Sequence, residues 1–194
     1  MSYSRLSPSP EYKELINLYE EMHADPIGVF EGGSLGPHIK AIRKLLARTG
    51  SKTLLDYGAG KGFFYEKQEF GSEKNQDLKT YWGLEELALY DPAYPPFAHF
   101  PEKKFDAVIC IDVLEHCPES DLSWIMDEIF SHASKCVYLA IACHKALKLL
   151  PNRRNCHITI KPPEWWKLLI EPKAAKYQLE CVVNYACATE KIEN

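Results

Sequence analysis

Thr53-Leu54-Leu55-Asp56-Tyr57-Gly58-Ala59-Gly60-Lys61-Gly62 is the stretch that decides the fold. A short apolar run that stops in alternating glycines reads as a buried parallel strand feeding a tight loop. Glycines there permit the turn and let backbone approach a ligand with no Cβ in between, and a helix N-terminus after the loop would add oriented donors. Asp56 stands two positions before the first glycine, where its carboxylate can accept from an ammonium group. The spacing is GxGxG, whereas dinucleotide binders carry GxGxxG.

Outward from this loop, strand-like and helix-like segments alternate. Upstream, Glu11 to Met22 and His38 to Arg48 carry apolar residues at helical spacing, with Gly50 as a stop. The first ten residues read as a loose arm. Downstream, Phe63 to Phe70 opens a helix and Glu73 to Asp77 reads as a solvated loop. Leu87 to Tyr90, closed by Asp91-Pro92, reads as the second strand, with Thr80 to Leu84 as its rival. Pro92, Pro95, Pro96 and Pro101 forbid regular structure until Phe105. Asp106 to Ile111 and Cys136 to Ala142 are strands, Glu119 to Ser134 and Glu164 to Ile170 helices, and Gln178 to Asn184 a last strand. The alternation predicts an α/β fold, a mainly parallel central sheet flanked by helices. Such sheets bind ligands at the carboxyl ends of their strands, so candidate residues are sought there.

The chain has 194 residues, 46% hydrophobic and 26% charged, which suits a single globular domain. We divide it into an N-terminal helical segment, 1–50, able to cover a ligand through Tyr19, His23, Phe30, Glu31 and Ser34, and a core, 51–194. A net charge of -4 makes nucleic acid an unlikely partner. No apolar run is long enough to span a membrane and MSYSRLSPSP lacks the apolar core of a signal peptide, so a cytoplasmic protein, monomer or homodimer, is expected. Seven cysteines without a CxxC pair read as buried free thiols.

Leu54 to Gly62 resembles the glycine-rich first motif of the class I, Rossmann-like, S-adenosylmethionine-dependent methyltransferases. Asp112-Val113-Leu114-Glu115-His116, closing the strand from Phe105, looks like their fourth-strand motif. The resemblance implies S-adenosylmethionine as cofactor, with Asp56, Gly58 and Gly60 lining its methionine part. It implies that Asp91 accepts from the ribose hydroxyls, with Glu85 or Glu86 as rivals, and that Asp112 borders cofactor and acceptor. Pro92, Ala93 and Phe97 would pack on the adenine. The stretch between Asp91 and Phe105 departs from the family, being too short for its usual helix and third strand, so the sheet should be abbreviated there.

Methyl transfer is an in-line displacement that needs alignment and, for some acceptors, removal of a proton. The chain lacks the Asn/Asp-Pro-Pro-Tyr type of motif that goes with methylation of base nitrogens, which favours a small-molecule acceptor. His157 and His116 are the candidate proton acceptors, since imidazole titrates near neutrality. The segment Lys145 to Thr159, with His144, Lys148, Arg153 and Arg154 around it, could hold an anionic acceptor or be solvated charge. Trp165-Trp166 reads as core packing. We assign no metal ligand, because Glu115 and His116 read first as braces for the next helix. The lesser reading is Mg²⁺ on Asp112, Glu115 and His116, where D-x-x-E-H resembles the metal pattern of ubiquinone-pathway O-methyltransferases and small-RNA 3′-terminal 2′-O-methyltransferases. The alternatives to a small-molecule enzyme are a metal-assisted RNA 2′-O-methyltransferase and a non-catalytic S-adenosylmethionine-binding module. A nicotinamide enzyme is the last contender.

Overall fold

The computed structural model describes residues 3–24, 30–67, 69–70 and 76–187. Its elements run α1 (Pro10–Ala24), α2 (Ile39–Thr49), β1 (Thr53–Tyr57), α3 (Phe63–Glu66), α4 (Leu78–Trp82), β2 (Glu86–Tyr90), β3 (Phe105–Ile111), α5 (Glu119–His132), β4 (Ala133–Ala142), α6 (Pro163–Tyr177) and β5 (Glu180–Ala186), with short 3₁₀ turns between some of them. The strands form one sheet in the order β2-β1-β3-β4-β5, and every pairing is parallel.

Alternation along each strand splits the core into two layers. Leu55, Tyr57, Val108, Cys110, Val137, Leu139 and Ile141 face α5 and α6, meeting Leu122, Ile125, Ile129, Trp166 and Ile170. Leu54, Ala107, Ile109, Cys136, Tyr138 and Ala140 face α2 and α4, meeting Ile42, Leu45, Leu46, Leu78 and Trp82. Trp166 is fully buried in the first layer, as core packing requires. Both faces of β1 and β3 are covered, so these strands read as continuous apolar runs. Among the described residues no helix is long and apolar enough to cross a membrane.

Some local expectations needed correction. Thr80 to Leu84 is no strand: Asp77 Oδ1 accepts from Thr80 N at 2.7 Å, Gly83 closes the turn in the left-handed region, and the segment is the helix α4. The helix from Phe63 is a single turn that ends at Glu66. Of the loop read at 73–77, residues 73–75 lie outside the described residues, and Gln76 pairs with Phe70. Helix α6 runs past Ile170 and through Pro172 to Tyr177. Ala174 and Tyr177 pack on the α5 layer, and that burial outweighs the bond that proline removes.

From β2 the chain passes to β3 with only a 3₁₀ turn, Pro95–Phe97; among the described residues no strand lies beyond β2, and the sheet is abbreviated as expected. The N-terminal arm fills part of the gap and is far from loose. The Arg5 guanidinium lies 3.8 Å above the Phe100 ring, donates to Tyr90 Oη at 2.7 Å, and grips both carboxylate oxygens of Glu128 at 2.5 and 2.6 Å. Tyr57 Oη donates to the same carboxylate at 3.0 Å. A bidentate, half-desolvated pair stacked on an aromatic ring is worth far more than a surface ion pair. Arg5→Ala should therefore cost about 1–3 kcal/mol of unfolding free energy, read as a lower urea midpoint at unchanged m-value.

Candidate functional site

The carboxyl ends of β1, β2 and β3 open on a cavity of about 570 Å³. Asp56, Gly58, Gly60, Asp91, Pro92, Asp112, His116 and His157 all line it. Helix α1 forms one wall, with Tyr12, Ile16, Tyr19 and His23 on a single stripe at spacings of four, three and four. Tyr19, His23, Phe30, Glu31 and Ser34, expected to cover a ligand, all reach it; Tyr12, Ile16 and Val113 were missed. Of the charged residues between Lys145 and Thr159, Lys148 lines the cavity while Arg154 pairs with Glu11 at the surface. The rival acids Glu85 and Glu86 lie at the opposite, amino end of β2, where Glu86 pairs with Lys103, so only Asp91 ends the strand at the cavity.

The glycine loop makes none of the backbone donations to a ligand that its sequence suggested. Gly58 N and Ala59 N both donate to Tyr90 O, at 2.7 and 3.0 Å. Gly60 N donates to Asp91 Oδ2 at 2.9 Å, Lys61 N to Phe30 O at 2.7 Å and Gly62 N to Ala59 O at 3.2 Å. All five consecutive amides are spent inside the protein. The following helix is one turn long and adds no donor array. The glycines are needed for the chain's own close approaches: a Cβ on Gly58 would stand 2.3 Å from Val113 Cγ2, and one on Gly60 2.4 Å from Phe30 O.

Two carboxylates remain to meet a ligand. Asp56 is almost fully buried, accepts from Tyr65 Oη at 2.7 Å, and has no cation beside it among the described residues. Burial, aided by Asp91 and opposed by Tyr65, pushes its carboxyl up to about 7. Asp91 accepts from Gly60 N and from Ala93 N, at 2.9 Å each, which leaves lone pairs on both oxygens. Burial raises it too. His23 Nε2 lies 3.8 Å from Asp91 Oδ1, and burial and Lys61 push that imidazole down to about 4, so it is neutral at ordinary pH.

At the other end of the cavity the chain turns sharply after β3. Asp112 adopts φ 57°, in the left-handed region, and its Oδ2 accepts from Ser34 Oγ at 2.7 Å. The 3₁₀ turn Leu114–His116 then sends Glu115 inward and His116 to the cavity. Glu115 is wholly buried: one oxygen accepts from Ala142 N, its backbone carbonyl accepts from Ile158 N and Thr159 N, and Oε2 has no hydrogen-bond partner among the described residues. Burial and the neighbouring Asp112 push it up to about 8. Glu115 thus braces the 157–159 segment, in keeping with its first reading as a brace, and the residues that meet at the cavity are Asp112, His116 and His157 rather than the Asp112, Glu115 and His116 of the lesser reading.

The hydrogen bonds fix both imidazoles. Tyr19 Oη has one proton and donates it to the Cys156 carbonyl at 2.9 Å, so it accepts from His116 Nδ1–H, also at 2.9 Å. His157 Nδ1–H donates to the His144 carbonyl at 2.5 Å. In its neutral form each ring therefore presents the lone pair of Nε2, and His157 Nε2 stands 3.8 Å from Asp112 Oδ1. Burial pushes His116 down to about 4 against the pull of Asp112. The Asp112 carboxyl, despite burial, is held below its usual range by Ser34 and the two imidazoles. One oxygen of Asp112 and a ring nitrogen from each of His116 and His157 thus face one another.

An open parallel sheet with acids at the ends of β1 and β2 and a polar cluster at the end of β3 defines a class of nucleoside-type ligand binders. The family model described as a methyltransferase domain matches residues 37–170, and the chain belongs to that family. Curated proteins and solved structures yielded no match to the chain. The matched span holds the glycine loop, Asp91, Asp112, His116 and His157, while the wall formed by α1 lies outside it.

Two outcomes follow from this geometry. Gly58→Ala should destabilise the protein by about 2–4 kcal/mol, through the positive φ and the clash with Val113, and Val113→Ala should return only the steric share. Asp56 holds a proton in the folded chain that the unfolded chain, with a value near 3.9, releases. Ligand-free stability should therefore fall as pH rises from about 4 to 7, by on the order of 4 kcal/mol, and Asp56→Asn should flatten that slope in denaturant titrations.

Proposed function

We propose that this protein transfers the methyl group of S-adenosylmethionine to an oxygen or nitrogen of a small acceptor held between α1 and the 144–157 segment. The observation that carries the reading is the pairing of a fully self-satisfied glycine loop with two free acids. A pyrophosphate needs loop amides, and none of the five is free. A ligand with an ammonium group and a ribose diol needs carboxylate acceptors instead, and Asp56 and Asp91 supply them.

On this reading Asp56 meets the ammonium, and the cation returns its carboxyl to the charged form. Asp91 accepts from the ribose hydroxyls with the lone pairs left by Gly60 and Ala93. Pro92 and Ala93 lie against the adenine, and Gly58 and Gly60 keep the loop low enough to admit the methionine part. S-adenosylmethionine supplies an electrophilic methyl on a sulfonium. Asp112 borders the reaction centre, and His157 and His116, their Nε2 lone pairs facing the cavity, accept the acceptor's proton. Tyr19, His23 and Phe30 close the cavity over the reactants and exclude water.

The net charge of -4, and a cavity whose lining includes one lysine among the described residues, favour a small acceptor over RNA. Calorimetry should show S-adenosylmethionine binding at one site per chain and no binding of NADH; the reverse pattern would remove the proposal. Asp91→Ala should weaken the cofactor by about 10–100-fold with an unchanged circular dichroism spectrum, as expected for lost hydrogen bonds to a charged group. Affinity should rise with pH up to about 7, as Asp56 gives up its proton. Release of S-adenosylhomocysteine with candidate acceptors separates an enzyme from a module that binds without catalysis.

A further inference from the structure

We infer that Asp112, His116 and His157 form a binding site for one divalent transition-metal ion, of the zinc, cobalt or manganese kind, at the acceptor end of the cavity. One oxygen and two imidazole nitrogens from these residues lie within 4.8 Å of one another. All three are lone-pair donors, and no hydrogen bond joins His116 or His157 to Asp112 among the described residues. Such a group is electrostatically unsatisfied until a proton, a polar ligand or a cation enters.

The surroundings prepare the imidazoles as ligands. A metal-bound histidine commonly gives its second ring N–H to a carbonyl or another oxygen, which fixes the tautomer and raises ligand basicity. His157 gives Nδ1–H to the His144 carbonyl, and His116 gives Nδ1–H to Tyr19 Oη, itself anchored on the Cys156 carbonyl. Ser34 holds the second oxygen of Asp112, which leaves the first turned to His157. Behind Asp112 stands the wholly buried Glu115, whose Oε2 has no hydrogen-bond partner among the described residues. Donors in a tetrahedral sphere with bonds of about 2.1 Å stand about 3.4 Å apart, so a group within 4.8 Å need contract by at most about 1.4 Å.

The donor set also selects the ion. Two neutral imidazoles and one carboxylate suit borderline transition metals, whereas Mg²⁺ prefers an all-oxygen shell. With three protein ligands the ion keeps open positions facing the cavity, where an oxygen-bearing acceptor can bind and lose its proton more readily. That consequence rests on the proposed methyl transfer; the binding of the ion does not. With the ion present, the two imidazoles hold it rather than take the proton themselves.

The test is titration of the chelator-stripped protein with Co²⁺, followed by visible absorbance, and with Zn²⁺ and Mg²⁺, followed by calorimetry. We expect one Co²⁺ or Zn²⁺ per chain at micromolar or tighter affinity, and Mg²⁺ at least 100-fold weaker. His116→Ala and His157→Ala should each weaken Co²⁺ by 100-fold or more and change its spectrum. Tyr19→Phe, which leaves the ring packing in place but removes the oxygen that holds the His116 tautomer, should weaken it by about 10-fold. His144→Ala, which keeps the backbone carbonyl, should leave it unchanged. Absence of one-to-one binding, a preference for Mg²⁺, or a Co²⁺ spectrum indifferent to both histidine variants overturns the site. Calorimetry with S-adenosylmethionine separates the two ideas: cofactor binding without metal binding removes only the metal site, and metal binding without cofactor binding removes only the methyl-transfer reading.

Discussion

The carbonyl of Tyr90 takes the amides of both Gly58 and Ala59, and this shared acceptor ties the end of β1 to the end of β2. The rest of the cavity hangs from that junction. It holds the loop flat against the next strand, brings Gly60 N onto Asp91, and turns Lys61 N toward the Phe30 carbonyl. A buried donor without a partner is costly, so a loop that satisfies itself in this way is stable with no ligand present. It also has little left to offer a phosphate, and chemical selectivity passes to the side chains of Asp56 and Asp91.

Those side chains and the imidazole cluster divide the cavity by chemistry. At the β1 and β2 ends stand two carboxylates that burial makes reluctant to ionise, which suits them to a ligand that brings its own positive charge and hydroxyl donors. At the β3 end, Asp112 is held charged beside two imidazoles whose protons point away from it. One end compensates a ligand, and the other waits for a proton or a cation. Family membership covers both ends, because the matched span runs from residue 37 to 170.

The abbreviated sheet explains why the N-terminal segment matters. With no strand beyond β2 among the described residues and no helix between β2 and β3, Tyr90 and Phe100 would stand open on the α5 side. Arg5 covers them and locks onto Glu128, which anchors the arm just ahead of α1. Helix α1 in turn packs Leu15 and Leu18 against Leu150, Cys156 and Ile158, and so becomes a wall of the cavity. Tyr19 then serves twice, as part of that wall and as the oxygen that orients His116.

Whatever depends on neighbours within a few residues could be read from the chain alone. The runs Thr53 to Tyr57 and Phe105 to Ile111 are apolar on both faces, so their strands, their order and the loop that follows Tyr57 were legible, as was Asp91 at a strand end. The helix α4 was missed because its signals are a capping Asp77 and a closing Gly83 around only five residues. The fate of the loop amides, the inward turn of Glu115 and the meeting of His157 with Asp112 could be decided only by tertiary structure. Each depends on partners dozens of residues away, such as Tyr90 for Gly58, Ala142 for Glu115 and Cys156 for Tyr19. Periodicity and motif spacing report which face a residue takes; which distant group accepts its hydrogen bond is settled only when the layers close.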